Sequence, residues 1–399
     1  MILTSQFEPA PTALRYDLRR PALRSQRQVV TARGYSGVNL YGPVGVVSGV
    51  GSASRGYLGA LRAAAVPVCV VPVHEVFVHQ RSVRRSEPRQ RPRHPISLVH
   101  VNADSVHRFL HYHARSFSRA RYKIGIWVWE LPALRDEWWS EFRHFDEIWV
   151  PSTFCQRAVQ AVTTKPVMVM PHVVSAHELP EPASREELRI GHDEFVFLYA
   201  FDASSTVERK NPQCLIDAFE AEFSELDPVR LILKVSNAED DPQLSRYLDA
   251  LVQRNSRCVV LRQTMETDEL LRLVRGCNCY VSPHRSEGFG LTVAEAMVLG
   301  LPVIATDYGG TADFVTEDVG FPLRYRLVEL DRNHGPYAKG AIWADPSREH
   351  LRELLRMVVA QPQAAAEKGR RARARMLQDY SAAAVGRRIG ERLAAIAPG

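Results

Sequence analysis

Two carboxylates and a glycine-rich turn stand together late in the chain, in the stretch SEGFGLTVAEAM (286–297). Glu287 precedes the turn, and Glu295 follows eight positions later in a segment that predicts a helix beginning near Leu291. Glycines ahead of a helix are typical of a phosphate site, because free backbone N–H groups and the positive end of the helix dipole point at the anion. Two negative charges at such a site therefore need an explanation.

The explanation we favour is a diphosphate with a sugar at each end. Gly288 and Gly290 would allow backbone N–H groups to approach the diphosphate closely. Glu295 would lie about 6 Å along the helix axis, at about 1.5 Å per residue. One carboxylate could then accept hydrogen bonds from a transferred sugar, and the other from the ribose of a nucleoside. The alternative is a helix N-terminus with a favourable early acid and no ligand.

Charge is distributed unevenly along the 399 residues. Residues 1–175 carry 23 Lys and Arg against 11 Asp and Glu, whereas residues 176–399 carry 28 against 34, and the whole chain is +6. Much of the excess lies between Arg15 and Arg33 and in RSVRRSEPRQRPR (81–93). It predicts either contact with something anionic, such as a membrane surface or a phosphorylated acceptor, or a solvated tail and loop.

Composition and length predict a globular protein of two domains, since 45% of residues are hydrophobic, 24% are charged, and 399 residues exceed one compact core. The longest apolar run, AAAVPVCVVPV (63–73), is too short to span a bilayer, and no secretory signal follows Met1. Scattered cysteines predict a reducing, cytoplasmic compartment. Cys277 and Cys279 are spaced like a metal-binding pair but lack a second pair, which favours buried thiols.

Short apolar strands alternate with amphipathic helices in both halves, which predicts parallel sheets covered on both faces. In the first half we expect strands near 37–43, 67–73, 96–101, 123–129, 146–150 and 167–170, and helices near 54–65, 104–114, 134–143 and 152–162. A Pro- and Glu-rich stretch, 171–191, predicts a linker. In the second half we expect strands near 195–200, 230–235, 258–261, 278–282 and 302–306, and helices near 211–222, 242–253, 266–275, 291–299 and over much of 346–395.

The stretch SPHRSEGFGLTVAEAMVLGLPVIATDYGG (282–310) resembles the donor-site signature of family 4 retaining glycosyltransferases. The shared elements are the E-x7-E pair, A-E-A-M, G-x-P-V-I-A-T and G-G. Similarity at 207–219, at 42–57 and more loosely at 124–154 extends the resemblance over most of residues 37–320. The W-x-W-E and D-E-I-W-V-P-S segments are similar to bacterial enzymes that assemble surface polysaccharides.

The resemblance implies an α/β fold of the GT-B type, in which two Rossmann-like, doubly wound parallel-sheet domains face a cleft. We expect an Arg-rich extension over 1–35, an acceptor domain over 36–175 and a nucleotide-sugar donor domain over 176–375. A C-terminal helix over 376–399 would pack back on the first domain.

The resemblance also implies roles for single residues. Glu287 would contact the donor sugar and Glu295 the ribose, while Arg209 and Lys210 would neutralise charge on the leaving phosphate. The remaining donor-binding positions are Gly288, Phe289, Gly290, Leu291, Thr292, Ser204 and a glycine-rich loop of the first domain with Gly49 and Gly51. Family members commonly carry an Arg where Asp202 or Ser204 stands here, so that Arg209 would substitute for it.

The acceptor side departs from the family pattern. A histidine is common after the fourth or fifth strand of the first domain, where this chain has Trp129 and Glu130. Glu130 is therefore a catalytic candidate, and the acceptor-side candidates are Trp129, His100 and Asn102. His107 and His111 share a helix face in zinc-like spacing, but a polar face is the favoured interpretation because a third ligand is missing.

The function that the resemblance implies is transfer of a hexosyl group from a nucleoside diphosphate sugar, GDP-mannose or a UDP-sugar, to a hydroxyl of a glycan or lipid-linked acceptor. The sequence contains no D-x-D motif, so we expect neither a metal nor a cofactor. No nucleic-acid partner is expected, and the basic first half suggests peripheral association with an anionic membrane. The alternatives are a sugar-nucleotide epimerase or hydrolase on the same scaffold and a non-catalytic sugar-nucleotide or glycan binding protein.

Overall fold

The computed structural model describes residues 37–77, 87–174, 179–188, 190–263 and 265–396. The basic segment 15–33, the extension 1–35 and residues 81–86 of the second basic patch lie outside the described residues. Within the described part of the chain, no helix is long and apolar enough to cross a membrane.

A six-stranded parallel sheet forms the centre of the first domain, with the strand order β2-β1-β3-β4-β5-β6. Its strands are β1 (Val38–Gly42), β2 (Val68–Pro72), β3 (Ile96–Val99), β4 (Tyr122–Ile126), β5 (Glu147–Val150) and β6 (Val167–Val169). The helices between them are α1 (Gly49–Ala63), α2 (Val106–Phe117) and α3 (Thr153–Gln160). In the central strands Leu40 pairs with Val70 on one side and with Leu98 on the other, as expected of a sheet buried on both faces.

A second six-stranded sheet, with the order β12-β11-β10-β7-β8-β9, forms the other domain. Its strands are β7 (Phe195–Asp202), β8 (Val229–Ser236), β9 (Cys258–Leu261), β10 (Cys279–Ser282), β11 (Val303–Thr306) and β12 (Phe321–Leu323). The helices are α4 (Val207–Lys210), α5 (Pro212–Glu222), α6 (Pro242–Arg254), α7 (Thr267–Gly276) and α8 (Leu291–Val298). Two parallel α/β sheets confirm the predicted two-domain architecture.

The chain ends in α9 (Arg348–Ala360), α10 (Pro362–Asp379) and α11 (Ala382–Ile396), where the sequence predicted one long helical region. Helix α11 returns to the first domain, and its Val385, Ile389 and Leu393 are buried with the residues of β1 and α1. The two chain crossings between the domains run side by side, since the N–H of Val174 donates to the carbonyl of Tyr380 over 2.9 Å.

Two local predictions were wrong, and one element was missed. Helix α1 begins at Gly49 and not near residue 54, because Ser48 caps it by accepting a hydrogen bond from the N–H of Gly51. The segment 134–143 forms a 3₁₀ helix, Asp136–His144, in place of an α-helix. An antiparallel hairpin of β13 (Tyr325–Glu329) and β14 (Ile342–Pro346) was not predicted.

A buried ion pair fastens α11 to the first sheet. The side chain of Glu147 on β5 is fully buried and accepts hydrogen bonds from Arg392 Nη2 at 2.6 Å and Nε at 2.9 Å. Tyr122 and Trp149 donate to the same carboxylate, at 2.9 and 2.6 Å. Removing the cation would leave a buried carboxylate with neutral donors only, which is costly.

We predict that Arg392→Ala lowers the free energy of unfolding by about 3 kcal/mol, the scale for a buried pair that loses one partner. The measurement is urea unfolding followed by far-UV circular dichroism. Arg387→Ala is the matched control, because Arg387 lies on the same helix and is exposed. Equal stabilities of the two variants would contradict the prediction.

Candidate functional site

The glycine-rich turn of residues 286–290 lies at the carboxyl end of β10, directly against the first domain. The hydroxyl of Ser286 donates to the carbonyl of Glu130, and the hydroxyl of Ser152 donates to the carbonyl of Gly288 over 2.6 Å. These hydrogen bonds fix the turn between the two sheets, where ligands of open parallel α/β folds bind.

Glu287 is the centre of a cluster of buried charges. Its Oε1 lies 2.5 Å from Lys210 Nζ and 3.1 Å from Arg209 Nη1. Burial raises the pKa of Glu287, but Arg209 and Lys210 outweigh burial and hold this pKa far below its ordinary value. Burial lowers the pKa of Arg209, but Glu287, Glu130 and Tyr337 together raise it by more, so Glu287 and Arg209 both stay charged. Two cations contact Glu287, so one positive charge beyond it is left to interact with Glu130 from the first domain or with an anionic ligand.

The backbone around α4 holds the two cations in place. Thr206, which precedes the helix, has φ +67°, a left-handed conformation that is costly for a β-branched residue. The hydroxyl of Tyr199 donates to the carbonyl of Lys210 over 2.7 Å, and the N–H of Arg285 donates to that of Arg209 over 2.7 Å. The short helix is therefore fastened to the ends of β7 and β10, and the strained residue is held by its surroundings.

The glycines of the site are required by close contacts. A Cβ on Gly288 would lie 2.5 Å from Val128 Cγ1, so the first domain itself excludes a side chain there. Gly290 has φ +90° and caps α8. A Cβ on Gly310 would lie 2.2 Å from the carbonyl oxygen of Gly288, because the Gly309–Gly310 segment packs directly on the turn. Binding of a diphosphate to the N–H groups of this turn remains a prediction.

Glu295 lies one turn into α8 and is partly buried. Burial alone raises its pKa to about 7, so this carboxyl titrates near neutral pH. Thr292 lies on the same helix, and the nearby Tyr280 hydroxyl donates to the carbonyl of Ala200 over 3.0 Å. The ring of Phe289 is buried beside His172 and Phe314, at 5.1 and 5.3 Å between centroids, so only its backbone N–H could contact a ligand.

Helix α1 places its N-terminus opposite that of α8. The position of a Cβ on Gly49 is 3.7 Å from Leu291 Cδ1, so the first turns of the two helices meet across the cleft. Gly49 and Gly51 belong to the first turn of α1 and not to a loop, which corrects the sequence interpretation. Gly51 is needed because a Cβ there would lie 2.0 Å from the carbonyl oxygen of Val46.

Glu130 joins the charge cluster from the first domain. Burial raises the pKa of Glu130, and Glu287 raises it further, while Arg209, Lys210 and the Tyr337 hydroxyl lower it; the net shift is upward. The ring of Trp129 is 5% exposed and packs against Trp138 at 4.6 Å, so this acceptor-side candidate is a core residue. Its neighbour Glu130 is the group that faces the cations.

His100 and Asn102 follow β3 and point to different partners. His100 Nδ1 is 2.7 Å from the Ser54 hydroxyl, while its buried Nε2 has no hydrogen-bond partner in the part of the chain that the structure describes. Burial lowers the pKa of His100 to about 3, so the ring is neutral. Asn102 Oδ1 accepts a hydrogen bond from the N–H of Val128 over 2.9 Å and thereby shapes the loop before Trp129.

Other predicted positions lie away from the cluster. Ser204 is exposed, and its hydroxyl donates to Asp202 Oδ1 over 2.7 Å. Among the described residues, no hydrogen bond joins Ser204 to Arg209. His107 and His111 line a shallow surface depression, and the described residues contain no group of three potential ligands placed to hold a metal ion. All six cysteines are buried and free.

Two site residues were missed by sequence reasoning. His284 follows β10 fully buried, its Nε2 is 3.0 Å from the Thr311 hydroxyl, and burial lowers its pKa to about 4. Tyr337 comes from the hairpin, and the Arg209 guanidinium lies 5.9 Å from the centre of its ring. The P-H-R preceding Ser286 was a visible signal for His284, whereas no motif marked Tyr337.

Comparisons with known proteins agree with this architecture. Residues 180–375 match the family model described as glycosyl transferases group 1. The chain is 30% identical over 116 residues to an uncharacterized glycosyltransferase of Methanocaldococcus jannaschii, covering 29% of this chain and 31% of that protein. It is 52% identical over 42 residues to the lipopolysaccharide core biosynthesis mannosyltransferase LpsB of Rhizobium meliloti, covering 10% and 12%. The chain therefore spans less than a third of the length of these curated relatives.

Solved structures resemble the whole fold. Sucrose-phosphate synthase from Thermosynechococcus elongatus superimposes with a TM-score of 0.64 at 19% identity, over 90% of this chain and 98% of that one. Anabaena HepE in complex with UDP-glucose gives a TM-score of 0.63 at 16% identity, over 90% and 99%. These likenesses show the GT-B fold.

We predict opposite effects for one substitution at two glycines. Gly310→Ala forces a Cβ into the backbone of the turn and should lower the melting temperature, with a stability loss of about 1–3 kcal/mol typical of overpacking. Gly59→Ala is the control, because a Cβ on Gly59 in α1 would meet no atom within 4 Å and should stabilise the helix by about 0.5–1 kcal/mol. Thermal unfolding of the two variants checks both signs, and a neutral Gly310→Ala would contradict the packing described here.

Proposed function

We propose that this chain is a family 4 retaining glycosyltransferase that moves a hexosyl group from a nucleoside diphosphate sugar to a hydroxyl of a glycan or lipid-linked acceptor. The observation that carries the proposal is the contact of Arg209 and Lys210 with Glu287 beside the turn that opens α8. The family match includes all three residues and Glu295. The named activity of LpsB and the UDP-glucose complex of HepE support a mannosyl or UDP-sugar donor.

In the proposed complex the diphosphate lies between the N-termini of α1 and α8, where free N–H groups and both helix dipoles favour an anion. Arg209 and Lys210 stabilise the charge that develops on the leaving phosphate. Glu295 accepts hydrogen bonds from the ribose, and Glu287 orients the transferred sugar. In this arrangement the cations contact the phosphates, and the two carboxylates of the protein contact the two sugars. This explains why acidic residues flank an anion-binding site.

The proposed reaction exchanges one bond at the anomeric carbon for another. The bond from this carbon to the phosphate oxygen breaks, and a bond to the acceptor oxygen forms on the same face of the sugar. The acceptor proton passes to the leaving phosphate oxygen, so the configuration is retained and the scheme needs no nucleophilic side chain. The absence of D-x-D leads us to propose that backbone N–H groups and cations hold the diphosphate without a metal.

The identity of the acceptor and association with a membrane are also proposals. The basic first half would favour a phosphorylated or lipid-linked acceptor at an anionic membrane, with the chain at its inner, cytoplasmic face. In the described part of the basic patch, Arg89 pairs with Glu75 at 3.0 Å, so one of its charges is already neutralised.

The test of the proposed function is binding followed by turnover. We expect one class among GDP-, UDP-, dTDP- and ADP-sugars to raise the melting temperature, since a donor at 100 times its dissociation constant adds about 2.7 kcal/mol. The stabilising donor should then react with an octyl glycoside in excess EDTA, giving a product of retained anomeric configuration by ¹H NMR. Consumption of the donor without the glycoside would indicate an epimerase or hydrolase, and a hundredfold loss in EDTA restored by Mn²⁺ would refute the metal-free site.

We predict a kinetic contrast between Lys210 and Glu295. Lys210→Ala should lower kcat by about 10²–10³, the scale for losing one preorganised charge stabiliser, because its partner charge grows only as the glycosidic bond breaks. Glu295→Ala should raise KM for the donor more than it lowers kcat, because the ribose is unchanged during the reaction. Steady-state kinetics with melting temperatures separates these effects from unfolding.

The pH dependence gives the control for Glu295. Burial raises the pKa of this carboxyl to about 7, so the form that accepts two ribose hydroxyls is populated above that pH. Donor KM should therefore fall as pH rises through about 7 in the wild type, and this change should be absent in Glu295→Gln.

A wild-type kcat in Lys210→Ala would show that the basic pair does not face the leaving group.

A further inference from the structure

The glycine-rich turn is held by both domains through three successive carbonyl groups. Those of Ser286 and Glu287 accept hydrogen bonds from donors of the second domain, over 2.8 and 2.7 Å. That of Gly288 accepts a hydrogen bond from the hydroxyl of Ser152, a residue of the first domain, over 2.6 Å. The first domain therefore fixes one peptide group of the turn, the one that joins Gly288 to Phe289.

Ser152 is held in place at the start of α3. It is fully buried, and its Oγ caps the helix by accepting a hydrogen bond from the N–H of Cys155 over 3.1 Å. The hydroxyl proton is then donated to Gly288, and two hydrogen bonds in series polarise each other. The thiol of Cys155 lies 3.3 Å from the same carbonyl oxygen, but it lies closer, at 3.1 Å, to the carbonyl oxygen of Trp129. The hydroxyl of Ser152 is therefore the main donor to Gly288.

The contacts of α3 with the second domain keep this hydroxyl opposite the turn. The N–H of Thr153 donates to Asp313 Oδ2 over 2.8 Å, and the Thr153 hydroxyl donates to the other oxygen of the same carboxylate. The ring of Phe154 packs edge-on against that of Tyr308, at 5.2 Å between centroids. The start of α3 is thus fastened to the second domain at three successive residues, 152–154.

The geometry of the peptide group links Gly288 to the opposite side of the turn. The peptide bond between Gly288 and Phe289 is trans, so its C=O and N–H bonds point in opposite directions. Because Ser152 holds the carbonyl towards the first domain, the N–H of Phe289 points away from α3. Among the residues that the structure describes, no carbonyl or side chain accepts a hydrogen bond from this N–H, although Phe289 is only 3% exposed. An acceptor oxygen of a bound ligand would therefore recover free energy there.

We infer that Ser152 is a positioning residue of the donor site, whose hydroxyl orients the Gly288–Phe289 peptide so that the N–H of Phe289 faces the diphosphate. The inference rests on the proposed function, which places the diphosphate beside the start of α8. The other two carbonyls of the turn keep their partners without the first domain, whereas that of Gly288 does not. Affinity for the diphosphate therefore depends on the first domain through the hydroxyl of Ser152.

The binding test uses Ser152→Gly, which removes the hydroxyl and keeps a residue type that is accepted at a helix N-cap. We expect the tighter of the two probes UDP and GDP to bind about tenfold more weakly, the scale of one hydrogen bond to a charged group. Ser347→Gly is the matched control, because Ser347 caps α9, outside the site, by accepting from the N–H of His350 over 3.2 Å. Isothermal titration calorimetry, with melting temperatures beside it, measures both variants. Equal affinities of the two would overturn the inference.

Selective isotope labelling observes the same peptide group directly by NMR. The chain has two Gly–Phe pairs, 288–289 and 320–321, so ¹³C-carbonyl glycine with ¹⁵N-phenylalanine gives two amide signals. The signal that persists in Phe321→Leu belongs to Phe289. We expect at least one of UDP, GDP and inorganic pyrophosphate to shift this signal in the wild type and to leave it nearly unshifted in Ser152→Gly. If none of the three probes shifts it in the wild type, no diphosphate meets this N–H, and the inference fails.

Turnover separates this inference from the proposed function. A wild type that transfers sugar from none of the donors, yet shows the shift of the Phe289 signal and its loss in Ser152→Gly, would overturn the proposed function alone. A Ser152→Gly variant that transfers sugar and binds the probes as the wild type does would overturn the inference alone.

Discussion

The buried contact of one carboxylate with two cations sets the conditions for the rest of the site. Glu287, Arg209 and Lys210 would each be costly to bury alone, and together they are tolerable because the opposite charges lie within 3.1 Å. The one-turn helix α4 is held at its C-terminal end, where Tyr199 and the N–H of Arg285 donate to the carbonyls of Lys210 and Arg209. The strained residue Thr206 lies directly before this helix. A looser turn would let water screen the cluster and would spread the cations.

The same cluster depends on the first domain. Gly288 leaves space for Val128, Ser152 holds the carbonyl of Gly288, and Glu130 contributes a further carboxylate. None of these contacts exists within the second domain alone. The family match covers 180–375, so it includes Arg209 and Lys210 but none of these residues of the first domain. The chemistry of the site is therefore a property of the interface between the domains.

Sequence reasoning reached the architecture because buried parallel strands are continuous apolar runs, as in FVFLYA of β7. It also brought Glu287 and the basic pair to one site, and the structure places them in contact, although their catalytic roles are still predictions. It missed the start of α1, because the glycines at 49 and 51 suggested a loop when a Ser48 cap and tight packing favour a helix. The hairpin was missed because one face of a two-stranded ribbon is exposed, and its Asp, Asn, Gly and Pro residues suggest only turns.

The side-by-side crossings at Val174 and Tyr380 make the two connections one mechanical element. Two parallel links that share a hydrogen bond allow rotation about their common line but resist sliding and twisting. Any opening of the cleft is then a single rotation, in which the glycine-rich turn, α8 and the hairpin leave the first domain together. Closure by the same rotation restores these contacts together.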